Sequence, residues 1–210
     1  MNLANRKVHI TIALVYIYAT MTLIPTVIDK TPQWERAYDI YSRLLEDRII
    51  FVWETIEPHV VNSVVAQLLF LEKKDPDKEI TMYINTPGGD VYSWMAIFDT
   101  MQHIKCDVVT MCAWLAASMG SIYLVGWTKG KRYALPNSRI MIHQPSHGTQ
   151  WTVSDTWIAI EEGMKLKKNL TQIMADRTWQ SFDKVQQDME RDKWLSPQEA
   201  LEYGIIDKIL

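Results

Sequence analysis

Short apolar runs alternate with longer amphipathic stretches through the first two-thirds of this chain, and that alternation predicts an α/β fold built on a parallel sheet. A second observation agrees: three of the apolar runs end in small or turn-forming residues just where a helix begins, as strands do in such folds. A third is the long amphipathic stretch in the last third, which predicts mainly helix there. With 210 residues and 48% hydrophobic content the chain is long enough for a sizeable core. We see no repeat, low-complexity tract or long linker, so residues 21–210 are expected to form one domain.

Residues 1–20 read as an N-terminal extension. Arg6 and Lys7 precede the apolar run Ile10–Ala19, a signal-like segment shorter than the ~20 residues of a membrane span. The competing reading, which we favour, is a propeptide or a misassigned start ahead of Met21. Glu35–Arg48 has apolar residues at Ala37, Ile40, Leu44 and Leu45 and predicts an amphipathic helix. Ile49–Val52 predicts a buried strand. Pro58 opens a helix that runs through Val60, Val64, Leu68 and Leu71 to a charged stop. Ile80–Ile84 is the next strand and Val91–Ile104 the next helix. Val108–Cys112 predicts a strand, Ala117–Val125 a helix and Arg139–His143 a strand. A long helix over about Val153–Arg177, short helices over Phe182–Glu190 and Pro197–Tyr203, and a strand over Ile205–Leu210 complete the pattern.

Composition excludes several classes. Lys and Arg number 22 against 25 Asp and Glu, a net charge of −3, so no nucleic-acid partner is expected. Two cysteines, Cys106 and Cys112, cannot build a disulfide framework, and their spacing does not suit a metal site. No metal is expected, and a reducing compartment is: the cytoplasm, or an organelle stroma or matrix.

Three junctions could carry chemistry. Asn85-Thr86-Pro87-Gly88-Gly89 can turn sharply and present free N–H groups to an anion, or be an ordinary turn. It lacks the Gly-Lys-Ser/Thr of a phosphate loop. Ser118, among small residues at a helix start, can be a nucleophile near stabilising N–H donors or only an N-cap. His143, at a strand end, can be a general base or a half-buried histidine, with His147 a nearby competitor. Such a base needs a third group to orient it. Asp188, Glu190 and Asp192 are all candidates, each equally readable as a solvated helix face, and spacing does not choose among them.

Six blocks in order resemble the ClpP family, the serine-peptidase subunits of Clp proteases. They are Tyr38–Leu45, Ile84–Gly89, Ala116–Gly120, Lys129–Arg132, Leu135–Arg139 running into Met141–Pro145, and Glu190–Asp192 before Leu195-Ser196. The resemblance spans Met21–Leu210 and implies a ClpP/crotonase-like spiral of βαβ units with a long handle helix near Val153–Arg177. It implies Ser118 as nucleophile, His143 as general base, Asp192 as its orienting carboxylate, and the backbone N–H groups of Gly89 and Met119 as an oxyanion hole. It further implies heptameric rings stacked in pairs around a chamber, unfolded polypeptides as substrates, and a hexameric Clp-type ring ATPase as partner, with Tyr83 in its docking cleft or simply core. No cofactor belongs to this chain, since ATP would act on the partner, and no stable membrane association is expected. A crotonase-type acyl-CoA enzyme or a non-catalytic ring subunit are the alternatives. The intact Ser118, His143, Asp192 set speaks against both.

The chain departs from the family in one direction. It has 9 Trp and 8 Gly, where average usage would give roughly 15 Gly. Trp34, Trp53, Trp94, Trp114, Trp127, Trp151, Trp157 and Trp179 stand at positions where the resemblance implies Gly. Overpacking costs typically ~1–3 kcal/mol per site, so independent Gly→Trp changes at all of them are improbable. The pattern predicts UGA codons there, read as Trp in this sequence and as Gly in the source. If the tryptophans are genuine, Trp94 and Trp114 are expected to disturb the site most.

Overall fold

In the computed structural model, residues 23–30, 35–89, 91–127, 129–146 and 152–210 are described, with the backbone alone at 91–94. The chain divides into two compact units, Met1–Glu46 and Asp47–Leu210.

In the first unit, β1 (Thr26–Lys30) pairs antiparallel with β2 (Glu35–Asp39), and α1 (Ile40–Glu46) follows. The helix expected over Glu35–Arg48 therefore starts five residues late. Ladder pairing with β1 claims Glu35–Asp39. The carboxylate of Asp39 then accepts the Ser42 backbone N–H at 2.9 Å and the Ser42 hydroxyl, which fixes the first turn of α1. The same two bonds hold the Asp39 carboxyl below its usual range.

The second unit is a sheet flanked by helices. Its strands are β3 (Ile49–Trp53), β4 (Ile80–Thr86), β5 (Val108–Ala117), β6 (Arg132–Ala134), β7 (Arg139–Ile142), β8 (Lys193–Leu195) and β9 (Lys208–Ile209). The order β3-β4-β5-β6-β9 is parallel throughout; β7 runs parallel to β5, and β8 antiparallel to β7. The expected parallel α/β architecture is thus observed. Helices α2 (Pro58–Lys74), α3 (Val91–His103), α4 (Met119–Val125), α5 (Val153–Thr178), α6 (Phe182–Asp188) and α7 (Pro197–Tyr203) complete it. Val61, Val64, Leu68 and Leu71 form the buried stripe of α2, each contributing about 1.5–3 kcal/mol of burial. Strand β4 alternates strictly, with Ile80, Met82, Ile84 and Thr86 inward.

Strand β5 differs most from expectation. It extends to Ala117, so the predicted helix over Ala117–Val125 begins at Met119 instead. Between the pairs Ile84↔Cys112 and Thr86↔Ala116, β4 advances two residues while β5 advances four. That bulge divides the far edge of β5 between two partners. Thr110–Cys112 pairs with β6, and Leu115–Ala117 pairs with β7. Strands β1, β2, β6 and β8 were not expected, and the last strand is Lys208–Ile209 rather than Ile205–Leu210. All are short or solvent-facing, and so lack the apolar run that marks a strand.

The suspect tryptophans have distinct surroundings. Trp179 ends α5 in the left-handed region at φ 57°, a position that favours glycine. Trp127 is only 9% exposed, and its Nε1 has no hydrogen-bond partner among the described residues. Trp53, Trp114 and Trp157 are exposed. Trp34, Trp151 and the side chain of Trp94 lie outside the described residues, as does the expected extension over 1–20. Among the described residues no helix is long and apolar enough to cross a membrane.

Candidate active site

Strand register assembles the site. Ala117 of β5 lies opposite Met141 of β7, and the two strands are parallel. The residues just beyond their carboxyl ends, Ser118 and His143, therefore emerge side by side. Strand β8 runs the other way, with Lys193 opposite Ile142. Asp192, just before β8, is delivered to the same edge. Three segments distant in sequence are thus aligned by backbone pairing before any side chain interacts.

The side chains complete the arrangement. His143 Nε2 lies 2.9 Å from Ser118 Oγ. His143 Nδ1 lies 2.9 Å from Asp192 Oδ1. A carboxylate only accepts, so Nδ1–H must donate to Asp192, which leaves Nε2 as acceptor for the Ser118 hydroxyl. That tautomer is assigned from the network.

Ser118 sits in a strained backbone conformation, φ 55° and ψ −119°, a region that costs a non-glycine residue about 1–3 kcal/mol. Its neighbours impose it. Ser118 N–H donates to Met141 O at 2.9 Å, and Ser118 O accepts from the Ser121 N–H at 3.0 Å and the Ser121 hydroxyl at 2.6 Å. At the N-cap position of α4 its side chain makes no capping bond. The hydroxyl goes to the histidine instead, in a sharp strand-to-helix turn like the one that exposes the serine of α/β-hydrolases.

The Gly pair lies against the serine. A Cβ on Gly88, whose φ is +97°, would come within 2.7 Å of Ser118 Cβ, so only glycine fits. The Gly88 carbonyl accepts the Ile56 N–H at 2.9 Å. In a trans peptide the N–H points opposite to the C=O, so the Gly89 N–H is aimed away from Ile56. Met119 is the first residue of α4, where backbone N–H groups lack an intrahelical acceptor.

The three carboxylates left open by spacing have different surroundings. Asp192 is 62% exposed and touches His143. Glu190 pairs with Lys167 of α5 at 2.8 Å, and Gln144 Nε2 donates to its main-chain carbonyl at 2.9 Å. Asp188 is only 18% exposed and receives Lys193, Lys184 and the Tyr203 hydroxyl. Burial alone would raise its carboxyl, but those three donors outweigh it and pull the pKa down from 3.8 to about 2. Asp188 in turn adds to the burial that pushes the Tyr203 phenol up.

An open cleft of about 540 Å³ lies beside His143 and Asp192, lined also by Pro145, Ser146 and Arg191. Tyr83 lies apart from the site. It is half-buried on β4, stacked on Phe51 of β3 at 5.6 Å, and Phe51 meets Trp53 at 5.0 Å. His147 lies outside the described residues. The Gly pair was legible in the sequence, but the role of Thr86 in shaping that turn was missed. A hydroxyl residue two positions before a glycine was the available signal.

A family model for the Clp protease matches residues 32–210.

Proposed function

Since the chain belongs to the Clp protease family, we propose that it is a serine-type endopeptidase with Ser118 as nucleophile, His143 as general base and Asp192 as the carboxylate that orients it. One observation carries this reading: a single imidazole bridges a serine hydroxyl and a carboxylate at 2.9 Å each. His143 Nε2 takes the Ser118 proton as Oγ attacks the peptide carbonyl. The N–H groups of Gly89 and Met119 receive the developing oxyanion. His143 then passes its proton to the leaving amine, and water clears the acyl-enzyme by the same route in reverse. Asp192 holds the imidazole in the tautomer this requires.

The substrates in this reading are unfolded polypeptides, admitted to a chamber formed by two stacked heptameric rings. Support for assembly comes from α5, where Val153, Ile160 and Met164 recur at i, i+7 and i+11 and are all exposed. An apolar stripe of that spacing suits a helix-to-helix seam between copies of this chain. The half-buried, stacked pair of Phe51 and Tyr83 suits an apolar loop of a hexameric ring ATPase, which would use the ATP. A reducing compartment fits the two free cysteines. An acyl-CoA enzyme would have no use for the Ser118–His143 bond.

A fluorophosphonate probe tests the chemistry. It should modify Ser118 in the purified, assembled protein, and Ser118→Ala should keep the assembled mass while abolishing hydrolysis of short fluorogenic peptides. Absence of labelling, or turnover by Ser118→Ala at the parent rate, would sink the peptidase reading.

A further inference from the structure

Thr86 is the last residue of β4, fully buried, and its hydroxyl is used twice. It donates to the carbonyl of Glu54 at 2.5 Å. It accepts the Gly88 N–H at 3.1 Å. The first bond fixes the hydroxyl proton, because a carbonyl can only accept. The oxygen lone pairs are then available to Gly88. Its methyl is also placed: a Cβ on Gly120, in the first turn of α4, would come within 2.8 Å of Thr86 Cγ2.

The consequence lies in the two peptide planes that flank Gly88. Thr86 Oγ1 fixes the plane before it, through the Gly88 N–H. Ile56 N–H fixes the plane after it, through the Gly88 carbonyl. A glycine at φ +97° between two free planes would have wide conformational choice. With both planes tied, the direction of the Gly89 N–H is set.

We propose that Thr86 is a positioning residue for the oxyanion donor: its hydroxyl orients the Gly88–Gly89 turn against Ser118 without touching substrate. This rests on the peptidase reading above. Removing one oxyanion donor outright costs roughly 10²–10³-fold in kcat. A donor displaced by about 1 Å costs roughly 10²-fold. Thr86→Val keeps the volume and the Cγ2 methyl and replaces the hydroxyl with a second methyl. Thr86→Ser keeps the hydroxyl and removes the methyl that lies under Gly120.

The test measures peptide hydrolysis and inhibition by a peptide aldehyde, whose hemiacetal oxygen occupies the oxyanion position, all per titrated active site of the assembled protein. Thr86→Val should lower kcat by roughly 30–100-fold with KM within about 3-fold of the parent. It should weaken the aldehyde by a similar factor, while Thr86→Ser should hold kcat within about 3-fold. A merely structural Thr86 would reduce the number of titratable sites and leave kcat per site and aldehyde affinity unchanged. That result, or Thr86→Val at the parent kcat, overturns the inference. Should Thr86→Val yield no folded sites, Thr86→Ala, which also lacks the hydroxyl, decides by the same two readouts: a parallel loss of kcat per site and of aldehyde affinity sustains the inference, and parent values of both overturn it. A parent chain that neither labels nor turns over sinks the peptidase reading instead.

Discussion

Asp188 and Asp192 lie four residues apart and do opposite things. Asp192 is open to solvent and meets His143, whereas Asp188 is enclosed by two lysines and a phenol. Asp192→Asn should cut kcat by roughly 10²–10⁴-fold, since an amide can donate to Nδ1 and favour the wrong tautomer. Its unfolding free energy should change little, because an exposed pair contributes at most about 1 kcal/mol. Asp188→Asn should do the reverse. The Asp188 carboxyl is depressed to about 2 in the folded chain. The stability it confers is therefore complete above the unfolded value near 4 and lost as pH falls from about 4 towards 2. That amounts to about 2 kcal/mol at neutral pH. Denaturant unfolding at pH 6 and pH 3 checks this: the parent should lose more stability between those values than Asp188→Asn does. Periodicity could not separate these residues. Both read as solvated helix positions, and what distinguishes them is β8, a three-residue strand with too little pattern to be visible.

Among the elements, those with a buried face and at least one full period were legible, notably α2, α7 and the start of β4. Strand β5 was cut short because its second half, Ala113–Ala117, carries three alanines and a leucine that suit a helix start equally well. Pairing with β7 decides for strand. The end of α5 has a further consequence. Trp179 holds a left-handed cap conformation at φ 57°, which costs an L-residue roughly 1–2 kcal/mol relative to glycine. Trp179→Gly should therefore raise the unfolding free energy by about 1 kcal/mol, less any loss of its contact with the Lys129 ammonium 4.1 Å above the ring. Trp127→Phe removes a buried indole N–H that has no acceptor among the described residues, and should also stabilise, since such a group costs about 1–3 kcal/mol. Two tryptophans that destabilise where they stand agree with the codon hypothesis. Sequencing the gene tests it directly: UGG at these positions ends it.

In the larger unit as a whole, the topology was only partly legible. Alternation gave the parallel class, but nothing in the residues between Cys112 and Arg139 announces that one strand edge is shared by two partners. The assembly expected for α5 yields its own measurement. Ile160→Asp places a charge in the exposed apolar stripe. It should reduce the sedimenting mass of the native protein to that of a single ring or smaller, with the monomer's helical content unchanged. Unchanged mass would mean that the stripe is not the seam. The antiparallel return of β8 onto β7 also has a temporal meaning. Translation produces Ser118 first, His143 25 residues later and Asp192 a further 49 after that. While the ribosome is still adding those last residues, the proposed nucleophile and base have no carboxylate to orient them. The proposed triad is thus completed late in synthesis, and its carboxylate is held in place only once β8, which follows Asp192 directly, has been made and paired with β7.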